Sequence, residues 1–314
     1  MLDDAVPYLA CPHCGGGLRR ADGTLRCGEG HAFDIAREGY VSLLPAGARG
    51  VGDTAAMVAA RAEFLAAGYF VGLAGELAEL AAQAAAAVDA DGRVNGRVSG
   101  GAGAGIDGGA DDLTCCIADV GAGTGYYLAA TLDRQPDRIG LALDASKFAL
   151  RRAARAHPRI GAVRCDAWSR LPVATGAVAV ALNVFAPREP AELRRVLHPA
   201  GRLLVATPTR DHLAELVGRL GLLTVDERKQ ERLAQKLDPC FDLVDTRPFR
   251  CGVLFDRRAV AAAVGMGPSA WHAAGRNLDA AVDQLPEPVA ATLSVTVSVY
   301  RPRPEPRPGD PASA

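Results

Sequence analysis

Lysine is almost missing from this chain: three residues among 314, so nearly all of the 35 basic side chains are arginine. They are offset by 36 Asp and Glu, giving a formal net charge of −1. With charge so balanced, no bulk field points to an acidic partner. In a background rich in Ala and Gly, the arginine skew reads as a compositional bias more than as a binding footprint. No uncharged apolar run reaches the roughly 20 residues of a bilayer span, so no membrane partner is expected. The start, Met1-Leu2-Asp3-Asp4, is acidic and leads into no apolar stretch. That pattern predicts no secretory leader and a cytoplasmic location. What is present is ordinary for a globular chain: 49% hydrophobic and 23% charged residues, in a length suited to two domains.

Eight cysteines remain to be explained, and in a reducing compartment clustered Cys signal metal more often than disulfides. Three of them lie within 17 residues, as Cys11-Pro-His-Cys14 and then Cys27, with His31 following. The spacing C-x2-C-x12-C-x3-H closes a tetrahedral Cys3His site from two knuckles, leaving no position for water. Zn2+ would therefore be structural here, supplying folding energy that a segment of this size lacks. His13 is a conceivable ligand, but it sits between two better placed cysteines. Residues 1–50 hold five Arg against six acids, so the module shows no basic footprint of its own.

Composition divides the chain into a zinc-binding module over 1–45, a linker and helices over 46–88, and a glycine-rich, flexible insertion over 89–112. A catalytic domain over 113–302 and a Pro-rich, disordered tail over 303–314 follow. Helical periodicity runs from Thr54 to Val88 with a break at Gly68. Apolar strands at 115–120, 138–143, 160–164, 177–183 and 202–207 then alternate with helices at 126–134, 146–156, 189–197 and 209–220. Such alternation predicts a parallel sheet covered on both faces. Thr292 to Val299 alternates strictly, as a half-exposed antiparallel strand does.

Asp119-Val-Gly-Ala-Gly-Thr-Gly125 joins the first of these strands to a helix. Gly121, Gly123 and Gly125 allow a tight turn and close approach of a ligand to the backbone. A dinucleotide fingerprint would require glycine at 126, where Tyr stands. The second strand ends at Asp144, whose carboxylate can accept both ribose hydroxyls of an adenosine. The third ends at Asp166, positioned to accept from the adenine amino group. A turn-forming Asp144 and a solvated Asp166 are the plain alternatives. A glycine loop followed by acids at successive strand ends is the pattern of an S-adenosylmethionine (SAM) site. The predicted fold is α/β: a Rossmann-like class I SAM-dependent methyltransferase domain preceded by a small N-terminal zinc-binding domain. Asn183, ending the fourth strand, is the candidate catalytic residue, able to orient a base edge. Phe185 either stacks on that base or packs its loop.

These motifs, with DTAAMVAARAEFLAAG, LDASKFALRRAARAHP, ALNVFAPREPAELRRVLHPAGRLLVATPTRDHLAEL and MGPSAWH, resemble the bacterial RlmA family, large-subunit rRNA guanine-N1 methyltransferases. The likeness covers nearly the whole chain and is greatest to the tylosin-resistance type. It implies zinc on Cys11, Cys14, Cys27 and His31, and methyl-donor contacts from Phe70, Tyr127, Leu128 and His212. Phe70 stands where some relatives carry Tyr, losing a hydroxyl but keeping the ring. The resemblance further implies 23S rRNA as partner, guanine 748 rather than 745 in hairpin 35 as target, a role in macrolide resistance, and a homodimer.

Other classes fit less well. An NAD oxidoreductase lacks its third glycine, and the zinc module argues against a small-molecule methyltransferase. A non-catalytic zinc RNA-binding protein would not need the intact loop and acids. No residue is a clear general base for the guanine N1 proton, so positioning is the expected catalytic term. Lys147 to Arg170, with seven basic residues and one acid, is the best candidate for phosphate contact, a solvated face being the alternative.

Overall fold

A computed structural model describes residues 2–45, 52–91, 114–221, 228–267 and 278–304. The chain opens with a short α1 (Leu2–Ala5) and a 3-10 turn (Val6–Tyr8), followed by β1 (Leu18–Ala21), β2 (Thr24–Cys27) and β3 (Ala32–Asp34). These three strands form a small antiparallel sheet. Next come β4 (Tyr40–Ser42), α2 (Ala55–Ala66), α3 (Val71–Ala90), β5 (Cys116–Val120), α4 (Tyr126–Leu132) and β6 (Gly140–Asp144). The chain continues through α5 (Lys147–Ala156), β7 (Ile160–Arg164), β8 (Val178–Val184), α6 (Pro190–Val196), β9 (Leu197–Pro208) and α7 (Ala214–Leu220). The last described elements are α8 (Arg228–Leu237), β10 (Phe241–Phe255), α9 (Arg257–Gly265), α10 (Leu278–Asp283) and β11 (Val289–Pro302).

Eight strands form one sheet in the order β10-β11-β9-β8-β5-β6-β7-β4. The run from β4 to β9 is parallel, and β11 is antiparallel to both of its neighbours. All five residues of β5 and all seven of β8 are buried, which is why they read as continuous apolar runs rather than alternating ones. Strand order reverses about β5, and ligands in such sheets bind outside the carboxyl ends of the strands at that switch point.

Each face has its own core. On one, Ile117, Ala142, Leu182 and Leu204 pack with α3, α4, α5 and α9. On the other, Ala118, Leu141, Ala181 and Leu203 pack with α6 and with residues of the N-terminal module, among them Leu9, Leu25 and Phe33. Helix α3 is long and apolar enough to cross a membrane by length and composition alone. Its Leu73, Leu77, Leu80 and Val88 are instead buried in the first of these cores. Burial stabilises each such leucine by about 1.5–3 kcal/mol, which accounts for the helix's hydropathy.

The N-terminal module is continuous with the catalytic sheet. Its last strand, β4, pairs with β7 in register Tyr40–Ala162, Val41–Val163 and Ser42–Arg164. Tyr8 Oη donates to Thr114 O at 2.8 Å, and Ala10 N donates to Pro172 O at 3.1 Å.

The sequence-predicted strands lie within a few residues of β5 to β9. Strand β9 begins at Leu197, however, five residues before the expected start at 202, so His198-Pro-Ala-Gly201 belongs to the strand. Helix α7 begins only at Ala214, because Thr209 to Leu213 forms a turn with Leu213 in the left-handed region at φ 54°. Beyond Asp91 the expected insertion lies outside the described residues, as do 46–51 of the linker and 305–314 of the tail.

Gly161 of β7 lies directly beneath α1, where a Cβ would stand 2.3 Å from the Cβ of Ala5. Overpacking of this kind costs about 1–3 kcal/mol. Gly161→Ala should lower the urea midpoint accordingly. Wild-type stability in that variant would show that α1 does not press on the sheet.

Candidate functional site

The metal cluster is built from two hairpin knuckles. Cys11 O accepts from Gly15 N at 2.8 Å and Cys11 N donates to Gly16 O at 2.7 Å, with Gly15 at φ 75°. The second knuckle is closed by Cys27 N to His31 O, 3.1 Å, and by Gly30 N to Cys27 O, 3.2 Å. Sγ of Cys11, Cys14 and Cys27 and a ring nitrogen of His31 all lie within 4.8 Å of one another. Cys14 Sγ to Cys27 Sγ is 3.7 Å, Cys11 Sγ to His31 Nδ1 is 3.7 Å, and Cys27 Sγ to His31 Nδ1 is 3.3 Å. A tetrahedron with Zn–S of about 2.3 Å and Zn–N of about 2.0–2.1 Å has edges of roughly 3.6–3.8 Å, so the donor set fits zinc. His13 is exposed and stacks on Phe33, with centroids 5.8 Å apart and planes at 10°.

The glycine loop leaves β5 at the switch point. Gly121, Gly123 and Gly125 all have positive φ, at 80°, 55° and 80°. Gly121 N and Ala122 N both donate to Leu143 O, and Asp144 accepts from Gly123 N (Oδ2, 2.8 Å) and from Ser146 N (Oδ1, 2.7 Å). Each carboxylate oxygen keeps a second lone pair, so Asp144 can still accept ribose hydroxyls. Burial raises its pKa, opposed by those two N–H groups. Asp166 lies beside it, since Cys165 N donates to Asp144 O at 3.0 Å. The Asp166 carboxylate closes its own turn, accepting from Trp168 N at 3.0 Å and Ser169 Oγ at 3.3 Å. Tyr127 is buried at the start of α4, while Leu128 is wholly in the core, so only its backbone could meet a ligand.

Two residues of this cradle were not singled out as binding residues from the sequence. Asp119 is 1% exposed, and among the described residues no donor reaches its carboxylate. Burial, with Asp144 alongside, pushes its pKa up to about 8. A buried acid without a partner suits the α-ammonium of an amino-acid ligand. Arg61 of α2 lies over the loop, ion-paired to Asp53 at 2.6 Å, and a Cβ on Gly123 would stand 3.3 Å from its Nη1. An acid directly before the glycines was the available signal for Asp119. Nothing local marks Arg61, which reaches the loop across about 60 residues of sequence.

At the ends of β8 and β9 a second group forms. Asn183 is fully buried and its amide N–H groups donate to Val120 O and Pro187 O, both at 2.9 Å. Its Oδ1 has no partner. Phe185 is 42% exposed and held at φ 54°, a strained conformation for a bulky side chain that persists where the surroundings enforce it. Its ring meets Phe70 at 6.0 Å and His212 at 5.9 Å, and Phe70 meets His212 at 6.1 Å. His212 accepts from Ser294 N through Nδ1, leaving the proton on Nε2, and burial lowers its pKa to about 4. The imidazole is therefore neutral at pH 7. Among the sequence-predicted residues, the glycines, Asp144, Asp166 and Tyr127 thus gather at one end of the site. Asn183, Phe70 and His212 gather at the other, and the Asn183 bond to Val120 links the two.

Strand order, glycine loop and strand-end acids together define a class I SAM-dependent methyltransferase, here fused to a zinc module. Residues 9–50 match the N-terminal zinc ribbon of RlmA. The chain is 46% identical over 304 residues to the 23S rRNA (guanine(748)-N(1))-methyltransferase of Streptomyces fradiae, covering 97% of this chain and 100% of the relative. It is 51% identical over 306 residues to a Micromonospora griseorubida protein provisionally named a 23S rRNA (guanine-N(1)-)-methyltransferase, covering 96% and 100%. A solved SAM-dependent methyltransferase from Thiobacillus denitrificans, in complex with S-adenosyl-L-homocysteine, aligns with 60% of this chain and 85% of its own at TM-score 0.38 and 18% identity. The chain belongs to the RlmA family of 23S rRNA guanine-N1 methyltransferases. Membership brings two cofactors, S-adenosylmethionine and zinc, and the residues described above fit both.

Two outcomes test these centres. The purified chain should carry one zinc, and Cys27→Ser or His31→Ala should lose it together with thermal stability. A metal-free wild type of equal stability would contradict a structural ion. For Asp119, the folded pKa of about 8 lies above the unfolded 3.8, so the native state holds the extra proton between those values. Its contribution to stability therefore falls as pH rises from about 4 to about 8. Asp119→Asn should raise the thermal midpoint at pH 8 and flatten its pH dependence. The same variant should weaken S-adenosylhomocysteine binding by about 10- to 100-fold, the loss of one charged hydrogen bond. Unchanged binding by calorimetry would remove Asp119 from the donor site.

Proposed function

We propose that this chain transfers a methyl group from S-adenosylmethionine to N1 of guanine 748 in hairpin 35 of 23S rRNA, and so contributes to macrolide resistance of the tylosin type. The observation that carries this reading is the 46% identity to the Streptomyces fradiae enzyme over its entire length. The reading brings with it a cytoplasmic site of action away from membranes, and a homodimer that light scattering would detect.

When bound, the donor supplies a sulfonium methyl, an electrophile that needs no activation beyond alignment. In this reading Asp144 and Asp166 hold the adenosine, while Asp119, ionised once the α-ammonium lies against it, and Arg61 hold the amino-acid end. Gly121, Gly123 and Gly125 leave room for the donor against the backbone, and Tyr127 and the Leu128 backbone close the cradle. Phe70 and His212 line the boundary between donor and acceptor.

Asn183 is assigned the target base. With both amide hydrogens engaged, its remaining function is that of an acceptor. Guanine presents donors at N1 and N2, so an acceptor on that edge discriminates it from adenine N1. Phe185 offers an exposed ring on which a base taken out of its stack can lie. Holding nucleophile and methyl in line is worth several kcal/mol of the barrier.

The test is transfer of tritium from labelled donor to 23S rRNA, with reverse transcription to map the block that an N1 methyl imposes. A stop at guanine 748 is expected. A stop at 745 would reassign the target, and label entering small molecules but no rRNA would overturn the reading.

A further inference from the structure

Helix α5 carries Lys147, Arg151, Arg152 and Arg155 and no acid in its ten residues. Lys147, Arg151 and Arg155 follow one another at intervals of four, the spacing at which like charges on a helix repel. Lys147 also stands in the first turn, where the helix dipole is already positive. Among the described residues only Arg151 meets a carboxylate, Glu38 at 2.8 Å. Lys147, Arg152 and Arg155 form no ion pair among the described residues. The Arg151 Nε is buried with no partner at all. Lys147 Nζ and the Arg151 guanidinium both lie over the ring of Phe148, at 5.2 and 5.8 Å. Glu38 and the Phe148 ring offset part of this charge, but no described carboxylate compensates Lys147, Arg152 or Arg155.

Arg151, Arg152, Arg155 and Phe148 line a groove of about 530 Å³, walled on its other side by Ala55 and Val58 of α2, with Lys147 beside it over the Phe148 ring. The groove adjoins the donor cradle. Helix α5 is capped by Ser146, whose N–H donates to Asp144 and whose hydroxyl donates to Asp53 O. Asp53 in turn pairs with Arg61 over the glycine loop. Through Arg152 the groove meets a second one that follows α2 to Tyr69, the neighbour of Phe70 at the acceptor end. In that second stretch the charges are mixed and Arg258 is paired with Glu63, so the uncompensated cations belong to the α5 end.

We propose that the groove between α2 and α5 holds the phosphodiester backbone of the RNA strand that enters the acceptor site. Arg152 and Arg155 contact successive phosphates, and Lys147 and Arg151 close the track beside Phe148. Cations one helical turn apart match a polyanion running along the helix rather than a single anion. The groove thereby provides the positive footprint that the zinc module, with its balanced charge, does not. This inference rests on the reading of the substrate as rRNA.

The test is binding of a transcript of the target hairpin to the zinc-loaded full chain, by fluorescence anisotropy at several salt concentrations. Each lost phosphate contact lowers the salt slope by about one. Arg152→Gln/Arg155→Gln should therefore reduce the slope by about two and weaken binding at low salt by at least tenfold, with donor affinity by calorimetry unchanged. Arg134→Gln/Arg219→Gln, which removes the same charge elsewhere, should leave the slope near that of the wild type. An unchanged slope in the groove variant, or an equal loss in both variants, would overturn the groove. A wild type that methylates no rRNA and shows no salt-dependent RNA binding would overturn the substrate reading along with it.

Discussion

The carboxylate of Asp144 is the joint on which the donor half of the molecule depends. One oxygen holds Gly123 N and the other holds Ser146 N, so a single side chain ties the loop after β5 to the end of β6 and the start of α5. The neighbouring Leu143 O takes Gly121 N and Ala122 N from the same loop. Three glycines in the left-handed region would otherwise lose more entropy on ordering than any other residue type. Holding them by side chain and backbone together keeps the cradle formed before a ligand arrives, and preorganisation of that kind converts contact into affinity. The brace requires burial of a charged group, which is why Asp144 titrates high and why Arg61 and Asp53 are gathered around it.

The acceptor half hangs from the same point. Asn183 ties the end of β8 to Val120, the residue before Gly121, and ties its own loop closed through Pro187 O. That loop also packs against the glycines, since a Cβ on Gly121 would stand 2.3 Å from that of Ala186. Donor and acceptor loops are therefore mutually fitted, and a change in one moves the other. The zinc module is joined to the edge of the sheet by β4, and further by the bonds of Tyr8 and Ala10. Metal binding is accordingly coupled to the packing of β7, whose next residues lead to Asp166.

What could be read from the sequence follows from how local each signal is. The four metal ligands and the glycine loop are short motifs whose geometry is set by neighbours in the chain, and strands β5 to β8 are buried enough to read as apolar runs. Strand β10 was not legible: Phe241 to Phe255 is an edge strand with Pro248 within it and most of its residues at least partly exposed, so neither period nor hydrophobicity marks it. Strand β4 lies within the segment assigned to the zinc module, but its partner, β7, lies about 120 residues away. Arg61 and the unpaired state of Asp119 depend on contacts across the fold, which no pattern of spacing encodes. The sequence also marked Lys147 to Arg170 as basic, yet only the packing of α5 on α2 separates the cations that face a groove from those spent on carbonyls, such as Arg159 and Arg164.

The absence of a recognisable base in the sequence acquires a physical form in the site. His212 is neutral, but its Nδ1 lone pair is held by Ser294 N–H and its Nε2 carries the proton, so neither nitrogen can accept another. An amide oxygen such as Asn183 Oδ1 accepts a hydrogen bond without taking the proton. Asp119, with its pKa raised to about 8, lies on the glycine-loop side of the site, away from the Asn183–Phe185–His212 end, and Asp166 and Asp211 are engaged by a turn and by Arg250. Among the described residues, then, none at the acceptor end can remove the guanine N1 proton. In the proposed reaction these residues contribute alignment, and hydrogen bonding that favours the developing N1 nucleophile.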